Sequence, residues 1–138
     1  MTTDDNKAIC SRLIDVINTG NMTLFDELIA PNVVDHQIPA NMPQTRDSAK
    51  QYVQMARAAF PDLHYNLEFS VAEGDRVMQY ATASGTMEHD FMGMKASCKQ
   101  ATWTESHVSR LSNGKIVEHW VETDQVGMLR QLGFMPPS

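Results

Sequence analysis

The chain has 138 residues, and its 17 acidic against 11 basic side chains give a formal net charge of −6. This length suits one domain with a core of its own, so we expect residues 1–138 to form a single domain. The negative charge disfavours nucleic acids and anionic membrane surfaces as partners.

The N-terminal region is predicted to start with a long amphipathic helix. Ile9, Leu13 and Val16 recur at helical spacing, from a start near Asp4 to a stop at Gly20. These positions would form one apolar face that packs on the rest of the domain.

A short helix, a strand and a third helix are predicted next. The short helix covers 23–29, and a strand covers 32–37. Thr45 is a suitable N-cap for the third helix. That helix should end at Phe60, because Pro61 disfavours helical geometry in the residue before it.

Beyond Pro61 the apolar pattern changes to a period of two, which indicates strands. The first runs from Leu63 to Val71, and three more are predicted over 76–86, 97–111 and 116–124, before a short tail helix with Val126, Leu129 and Leu132. Helices followed by an antiparallel meander predict an α+β fold, in which helices cover one face of a curved sheet.

The last two strands are predicted to form a hairpin with a defined register. Asn113 and Gly114 favour a two-residue type I′ turn, so facing pairs can be counted outward from Ser112 and Lys115. Alternation then places two tryptophans, one histidine and three carboxylates on one face. The predicted pairs are His107 with Trp120, Glu105 with Glu122, and Trp103 with Asp124.

Two interpretations of this face are open. In the functional one, indoles shape an apolar cavity in which Asp124, Glu122 and His107 transfer protons, because desolvation raises the pKa of a carboxylate. In the structural one, the acids lie at the sheet edge, solvated or paired with nearby basic side chains. Charges are costly to bury unpaired, so a pocket explains such a face better than an ordinary core does.

The other polar candidates are weaker. His36 follows Asp35 in a short strand, and we favour a pocket position for it. His89 lies in none of the histidine spacings typical of metal sites, so we expect no metal. His64 and His119 alternate away from the chosen face, which predicts surface or interface positions.

Export and cross-linking signals are absent by sequence criteria. Asp4 and Asp5 occupy a region where a signal peptide needs basic residues, and no apolar run approaches the roughly 20 residues that span a bilayer. Cys10 and Cys98 fit neither a disulfide framework nor a zinc site, and no base is evident beside Cys98. We therefore expect a cytoplasmic protein without membrane association.

Several segments in a characteristic order carry a family resemblance. Beside Asp124, they are Val34-Asp35-His36, Ala58-Ala59-Phe60-Pro61-Asp62, Ala72-Glu73-Gly74-Asp75-Arg76-Val77, Gly85-Thr86 to Phe91-Met92-Gly93, Gly114-Lys115-Ile116-Val117-Glu118-His119-Trp120 and Met128-Leu129-Arg130-Gln131-Leu132-Gly133. From about Lys7 to Gly133, the chain resembles the SnoaL-like polyketide cyclase family of the NTF2-like superfamily.

The resemblance implies a cone-shaped antiparallel sheet closed by the N-terminal helices, usually in a homodimer or higher oligomer. Characterised members close a polyketide ring by intramolecular aldol condensation, without metal or organic cofactor. In them an aspartate on the last long strand transfers the proton. Asp124 matches that position here.

We therefore predict a cofactor-free enzyme for a small hydrophobic carbonyl compound, with Asp124 as general acid/base and His107 and His36 as partners of substrate oxygens. The other predicted substrate-binding residues are Trp120, Trp103, Glu122, Glu105, Phe60, Tyr80, Phe91 and Met92. Isomerisation and epoxide hydrolysis are open as alternative activities. A non-catalytic domain that binds a small molecule or a protein is the alternative of a different class.

Overall fold

Helices and a five-stranded sheet form the fold in the computed structural model, which describes residues 1–136. The helices are α1 (Thr3–Thr19), α2 (Met22–Leu28), α3 (Arg46–Ala59) and α4 (Gln125–Leu132). The strands are β1 (Ile29–Asp35), β2 (His64–Glu73), β3 (Arg76–Thr86), β4 (Gln100–Ser112) and β5 (Lys115–Thr123). The predicted α+β class with a curved sheet is confirmed.

Local capping interactions fix the ends of the helices. At the start of α1, the Thr2 hydroxyl accepts from the Asp5 N–H while the Asp5 carboxylate accepts from the Thr2 N–H, which is a capping box. Gly20 ends α1 in a left-handed conformation, with φ of 75°. Asn21 caps α2, and Thr45 caps α3 as predicted.

The sheet has the strand order β1-β5-β4-β3-β2. Strands β2 to β5 form an antiparallel meander, whereas β1 adds to the edge of β5 in parallel. Helix α1 packs against β2 and β3, and α3 packs against β1. The parallel pairing places Asp35 opposite His119, two residues that are distant in sequence.

A β-bulge changes the register of the final hairpin. Arg110 pairs with Glu118 and Leu111 pairs with Ile116, so Val117 is an extra residue on β5. Because side chains alternate with a period of two, one extra residue exchanges the faces of the whole strand beyond it. The register predicted from the turn is therefore correct only next to the turn.

The bulge brings a different set of β5 side chains to the inner face. His107 pairs with Val121 and not with Trp120. His119, predicted at the surface or at an interface, is buried within the fold and only 7% exposed. Trp120 and Glu122 occupy the alternate positions, on the outer face of the sheet.

A second irregularity lies in β2. Leu67 pairs with Ala81 and Phe69 pairs with Tyr80, so Glu68 is the extra residue there. Before this bulge Tyr65 is buried on the inner face, whereas Phe69 beyond it is 50% exposed. The alternation read from the sequence therefore holds for the first half of β2 only.

Candidate active site

A cavity of about 540 Å³ lies against the inner face of the sheet, between α3, α4 and the segment 91–94. Its volume is within the range of small-molecule sites. Within residues 1–136, Glu105 is the one carboxylate in its wall, and no lysine or arginine lines it. The wall is mainly aromatic and thioether, with Tyr52, Phe60, Tyr65, Phe91, Trp103, Met92, Met94 and Met128.

Three hydrogen-bonding side chains hold the Glu105 carboxylate, which is only 4% exposed. Trp103 Nε1 and the Tyr65 hydroxyl donate to Oε2, at 2.7 and 2.9 Å. His107 Nε2 lies 2.7 Å from Oε1. An ionised carboxylate offers about four acceptor positions, so about one is left for a ligand in the cavity.

Behind Glu105 the hydrogen bonds continue through two imidazoles. His107 Nδ1 lies 2.9 Å from His119 Nε2, and His119 Nδ1 lies 3.0 Å from Asp35 Oδ1. The Gln37 N–H also donates to Asp35 Oδ1, at 3.0 Å. A continuous buried chain of four titratable side chains thus joins the cavity wall on β4 to the edge strand β1.

The surroundings of Glu105 and His107 favour an ionised acid beside a neutral ring. Burial alone would raise the pKa of Glu105, but the hydrogen bonds from His107, Trp103 and Tyr65 outweigh it and lower that pKa. Burial lowers the pKa of His107 against the opposing hydrogen bond to Glu105. The carboxylate is therefore the charged member of the pair.

Asp35 and the two tyrosines of the cavity are also perturbed. Burial opposes ionisation of Asp35, yet the hydrogen bond and charge of His119 lower its pKa overall. Burial and the charge of Glu105 raise the pKa of Tyr52 to about 12 and that of Tyr65 well above its usual value. Both phenols therefore remain protonated at neutral pH and can donate hydrogen bonds.

His36 lies at the rim of the cavity. Its ring stacks on Trp120, with centroids 5.2 Å apart and planes at 9°. Its Nε2 atom lies 2.9 Å from a carboxylate oxygen of Glu118. These contacts fix the partly exposed ring at the edge of the cavity.

The predicted inward position of Asp124 is wrong. The residue is exposed and does not line the cavity. It is the N-cap of α4, where its Oδ1 accepts from the Gly127 N–H at 3.0 Å. Its carboxylate therefore stabilises the start of a helix, and we do not retain it as the acid/base group.

Three other predicted substrate-binding residues lie outside the cavity. Trp120 stacks on His36 and lies under the Arg76 guanidinium, 5.6 Å from the ring centroid. Tyr80 stacks on Phe69 on the outer face, with centroids 5.3 Å apart. Glu122 is exposed. The Val117 bulge accounts for Trp120 and Glu122, and Tyr80 alternates outward along β3.

The remaining predicted residues are brought together. Trp103, Glu105, Phe60, Phe91 and Met92 line the cavity, and His107 reaches it through Glu105. Phe60 forms the centre of the aromatic wall, 5.8 Å from Trp103 and 6.0 Å from Phe91 between ring centroids.

Sequence reasoning missed Asp35, His119 and Tyr65 as site residues. Asp35 alternates with the buried Val33 on β1, and Tyr65 alternates with Leu63, so the period of two already indicated inward positions for both. For His119 no such signal exists, because its orientation depends on the bulge at Val117.

Residues 1–136 lack two features, a metal-binding cluster and a helix that could span a membrane. No cluster of three or more histidine, cysteine or acidic side chains in this range is arranged to hold a metal ion. No helix of the same range combines the length and the apolar character that a bilayer crossing requires.

A sequence model of SnoaL-like polyketide cyclases matches residues 7–132. The chain belongs to this family. In sequence, no curated protein is significantly similar to this SnoaL-like chain.

Solved structures agree with the family and the fold. IdmH from Streptomyces antibioticus, a candidate polyketide cyclase, is 32% identical, with a TM-score of 0.81 over 93% of this chain and 98% of its own. A candidate cyclase from Acidithiobacillus ferrooxidans is 28% identical, with a TM-score of 0.79 over 96% and 97%. TsrD from Streptomyces laurentii has a TM-score of 0.89 over 98% and 99% at 20% identity, which shows the shared fold alone.

Proposed function

We propose that this SnoaL-like protein transfers protons on a small hydrophobic carbonyl compound, as a polyketide cyclase does, with Glu105 as general acid/base. The observation that supports the proposal is a buried carboxylate, the one in the described wall, facing an aromatic cavity. A carboxylate in such a site is a suitable base for a C–H group activated by carbonyls. No cofactor is part of the proposal.

The cavity wall favours a neutral substrate that contains rings. Within the described residues no cationic lysine or arginine is present to hold a carboxylate or phosphate group. Phe60, Phe91 and Trp103 offer tilted and edge-on ring contacts of the kind that aromatic ligands extend. Met92 and Met94 add adaptable surface near the mouth.

The proposed reaction starts with proton transfer to Glu105. Its carboxylate takes a proton from the carbon between two carbonyl groups, and the C–H electron pair delocalises into the carbonyls as an enolate. The enolate carbon then forms a bond with a second carbonyl carbon, whose oxygen becomes an alkoxide. The Glu105 carboxyl group returns its proton to that alkoxide, so no proton is gained or lost overall.

Tyr52 is the proposed donor to the enolate oxygen. Its side chain lines the same cavity as Glu105, and its pKa is raised to about 12. The Tyr65 hydroxyl is less suitable, because its proton already points to Glu105. A donor aimed at developing oxyanion charge also suits isomerisation, whereas the arginine that we expect for epoxide hydrolysis is absent from the described wall.

A non-catalytic ligand-binding domain is the second candidate. The lowered pKa of Glu105, caused by His107, Trp103 and Tyr65 against burial, makes this carboxylate a weaker base. Such a group would suit permanent acceptance of a hydrogen bond from a ligand hydroxyl. A protein of this kind would bind ring compounds without exchanging their protons.

We also infer a homodimer through the outer face of β2 and β3. Phe69 and Val71 are 50% and 52% exposed there. A shallow groove lined by Val71, Met78 and Val108 adjoins them. Exposed apolar patches on sheets commonly mark such interfaces. Sedimentation of the protein and of a Phe69→Asp variant tests this, with a monomeric wild type as the contrary result.

The acid/base proposal is tested by hydrogen exchange on a probe ketone. The α-carbon protons of 2-tetralone, a bicyclic aryl ketone, are followed by ¹H NMR in D₂O with and without protein. Glu105→Gln keeps an acceptor for Trp103 and Tyr65 but removes the base. Glu27→Gln, an exposed residue on α2, is the matched control.

We expect wild type and Glu27→Gln to accelerate exchange equally. Glu105→Gln should lose roughly 10²-fold to 10⁴-fold of the acceleration, the usual contribution of a general base. Binding of 2-tetralone to wild type without any acceleration of exchange would instead support the ligand-binding candidate.

A further inference from the structure

We propose that the chain Asp35–His119–His107–Glu105 holds one proton shared between its two carboxylates, and that its position on the imidazoles sets the basicity of Glu105. The effect of this proton on catalysis rests on the proposed function of Glu105. The proton count itself rests on hydrogen-bond geometry.

Three hydrogen bonds must be filled by protons. They join Glu105 to His107 at 2.7 Å, His107 to His119 at 2.9 Å, and His119 to Asp35 at 3.0 Å. A neutral imidazole carries one N–H and an ionised carboxylate carries none. Two neutral rings therefore fill two of the three links. Because buried polar atoms are rarely left without a partner, the chain must hold one additional proton.

The hydrogen-bond geometry accommodates the additional proton on either imidazole, and the lowered pKa of His107 selects His119. Its Nδ1 faces the Asp35 carboxylate and its Nε2 faces His107 Nδ1. With both nitrogens protonated, His119 donates in both directions and leaves His107 a single proton, on the Nε2 that faces Glu105. The lowered pKa values of Glu105, Asp35 and His107 are consistent with ionised carboxylates and a neutral His107.

The groups packed around this chain leave it isolated from other charges. Apolar residues from α1, α2, β1 and α3 surround Asp35, His107 and His119 on the side away from Glu105. The other titratable groups close by are phenols and a thiol with raised pKa, all neutral at neutral pH: Tyr65 on β2, Tyr52 on α3 and Cys10 on α1. Within the described residues the shared proton has no competing charged partner.

The shared proton has two useful positions. On His119 it is distant from Glu105, which leaves the carboxylate free to take a substrate proton. Transfer from His119 Nε2 to His107 Nδ1 through the 2.9 Å link places a cation beside Glu105. An adjacent cation favours the ionised carboxylate, so Glu105 then releases its proton to the product. Asp35 is a positioning residue, since it supports the charge without lining the larger cavity.

The test uses ¹⁵N-histidine-labelled full-length protein at neutral pH, without ligand. Two-bond ¹H–¹⁵N spectra show which ring nitrogens carry protons, and His107→Gln and His119→Gln variants assign the signals. In wild type we expect His119 to be protonated on both nitrogens and His107 on Nε2 alone. A bare nitrogen on His119 would overturn the proposal.

Two variants predict opposite tautomers. An amide in Asp35→Asn can donate to His119 Nδ1, so both rings should become neutral with their protons on Nε2. An amide in Glu105→Gln can donate to His107 Nε2, so both rings should become neutral with their protons on Nδ1. Asp15→Asn changes an exposed residue on α1 and is the control. Its spectrum should be the same as that of wild type. The same tautomer in both variants would contradict a proton shared between Asp35 and Glu105 through the two imidazoles.

Kinetics separate this proposal from the one on which it rests. In the 2-tetralone assay, Asp35→Asn should lower kcat by roughly tenfold to a hundredfold with KM unchanged, less than the loss of the base itself. A rise in KM alone would overturn the positioning role. Unchanged exchange in Glu105→Gln would defeat the acid/base function, whereas the proton count is decided by the spectra.

Discussion

The Nδ1 atom of His107 lies 2.9 Å from the Nε2 atom of His119, which joins β4 to β5 through a buried pair of imidazoles. This contact exists because Val117 is an extra residue in β5 and turns His119 inward. The same bulge turns Trp120 outward. The site is therefore built on Glu105 and a hydrogen-bonded chain behind it.

Asp124 is expected to act on stability through the start of α4. Its carboxylate accepts from the Gly127 N–H at 3.0 Å. Asp124→Ala should lower the free energy of unfolding by about 1 kcal/mol, whereas Asp124→Asn, another good N-cap, should change it by only a few tenths. Urea unfolding of the three proteins measures both values. Equal losses in the two variants would argue against a capping role.

Local features of the sequence were sufficient for most of the fold. The Thr45 cap, the stop at Pro61 and the face shared by Trp103, Glu105 and His107 each depend on a few neighbouring residues. Alternation within one strand needs no knowledge of its partner. The helices, the strand order of the meander and half of the site could therefore be predicted.

The orientation of β5 could not be predicted in this way. A bulge at Val117 has no local signature comparable with the Asn-Gly turn, and it is compatible with the burial of His119 between Asp35 and His107. Such tertiary contacts become visible only when β1 is placed beside β5. The family position of Asp124 agrees with the regular register, and both predict an inward carboxylate where the structure has an exposed N-cap of α4.

Tyr65 is expected to set the basicity of Glu105. Its hydroxyl donates to the carboxylate at 2.9 Å, so Tyr65→Phe removes one stabilising donor and raises the pKa of Glu105. The acid limb of the rate of 2-tetralone exchange should then move to higher pH. Tyr52→Phe is the control: it removes a phenol from the same cavity and should lower the rate while leaving the limb in place. An unmoved limb in Tyr65→Phe would count against Glu105 as the titrating base.

Acid should destabilise the fold through the buried hydrogen-bonded side chains Asp35, His119, His107 and Glu105. Hydrogen bonds to His107 and His119 hold the pKa values of Glu105 and Asp35 below normal against burial, and burial lowers that of His107. A lowered pKa means that the unfolded chain binds more protons, so stability falls as pH falls. His107 contributes below about pH 6.5, and the carboxylates contribute below about pH 4.

Urea unfolding at a series of pH values measures this effect. In Glu105→Gln the contribution of that carboxylate is absent, so the free energy of unfolding should fall less steeply between about pH 5 and pH 3 than in wild type. A steeper fall in the variant would have the wrong sign for an ionised, stabilising Glu105.

The most direct measurement compares Glu105→Gln with Asp124→Asn in the exchange of 2-tetralone α-protons. One carboxylate faces the cavity and the other caps an exposed helix end. We predict that Glu105→Gln abolishes most of the acceleration and that Asp124→Asn retains the wild-type rate. Loss of exchange in Asp124→Asn with full activity in Glu105→Gln would contradict the assignment of Glu105 as the acid/base.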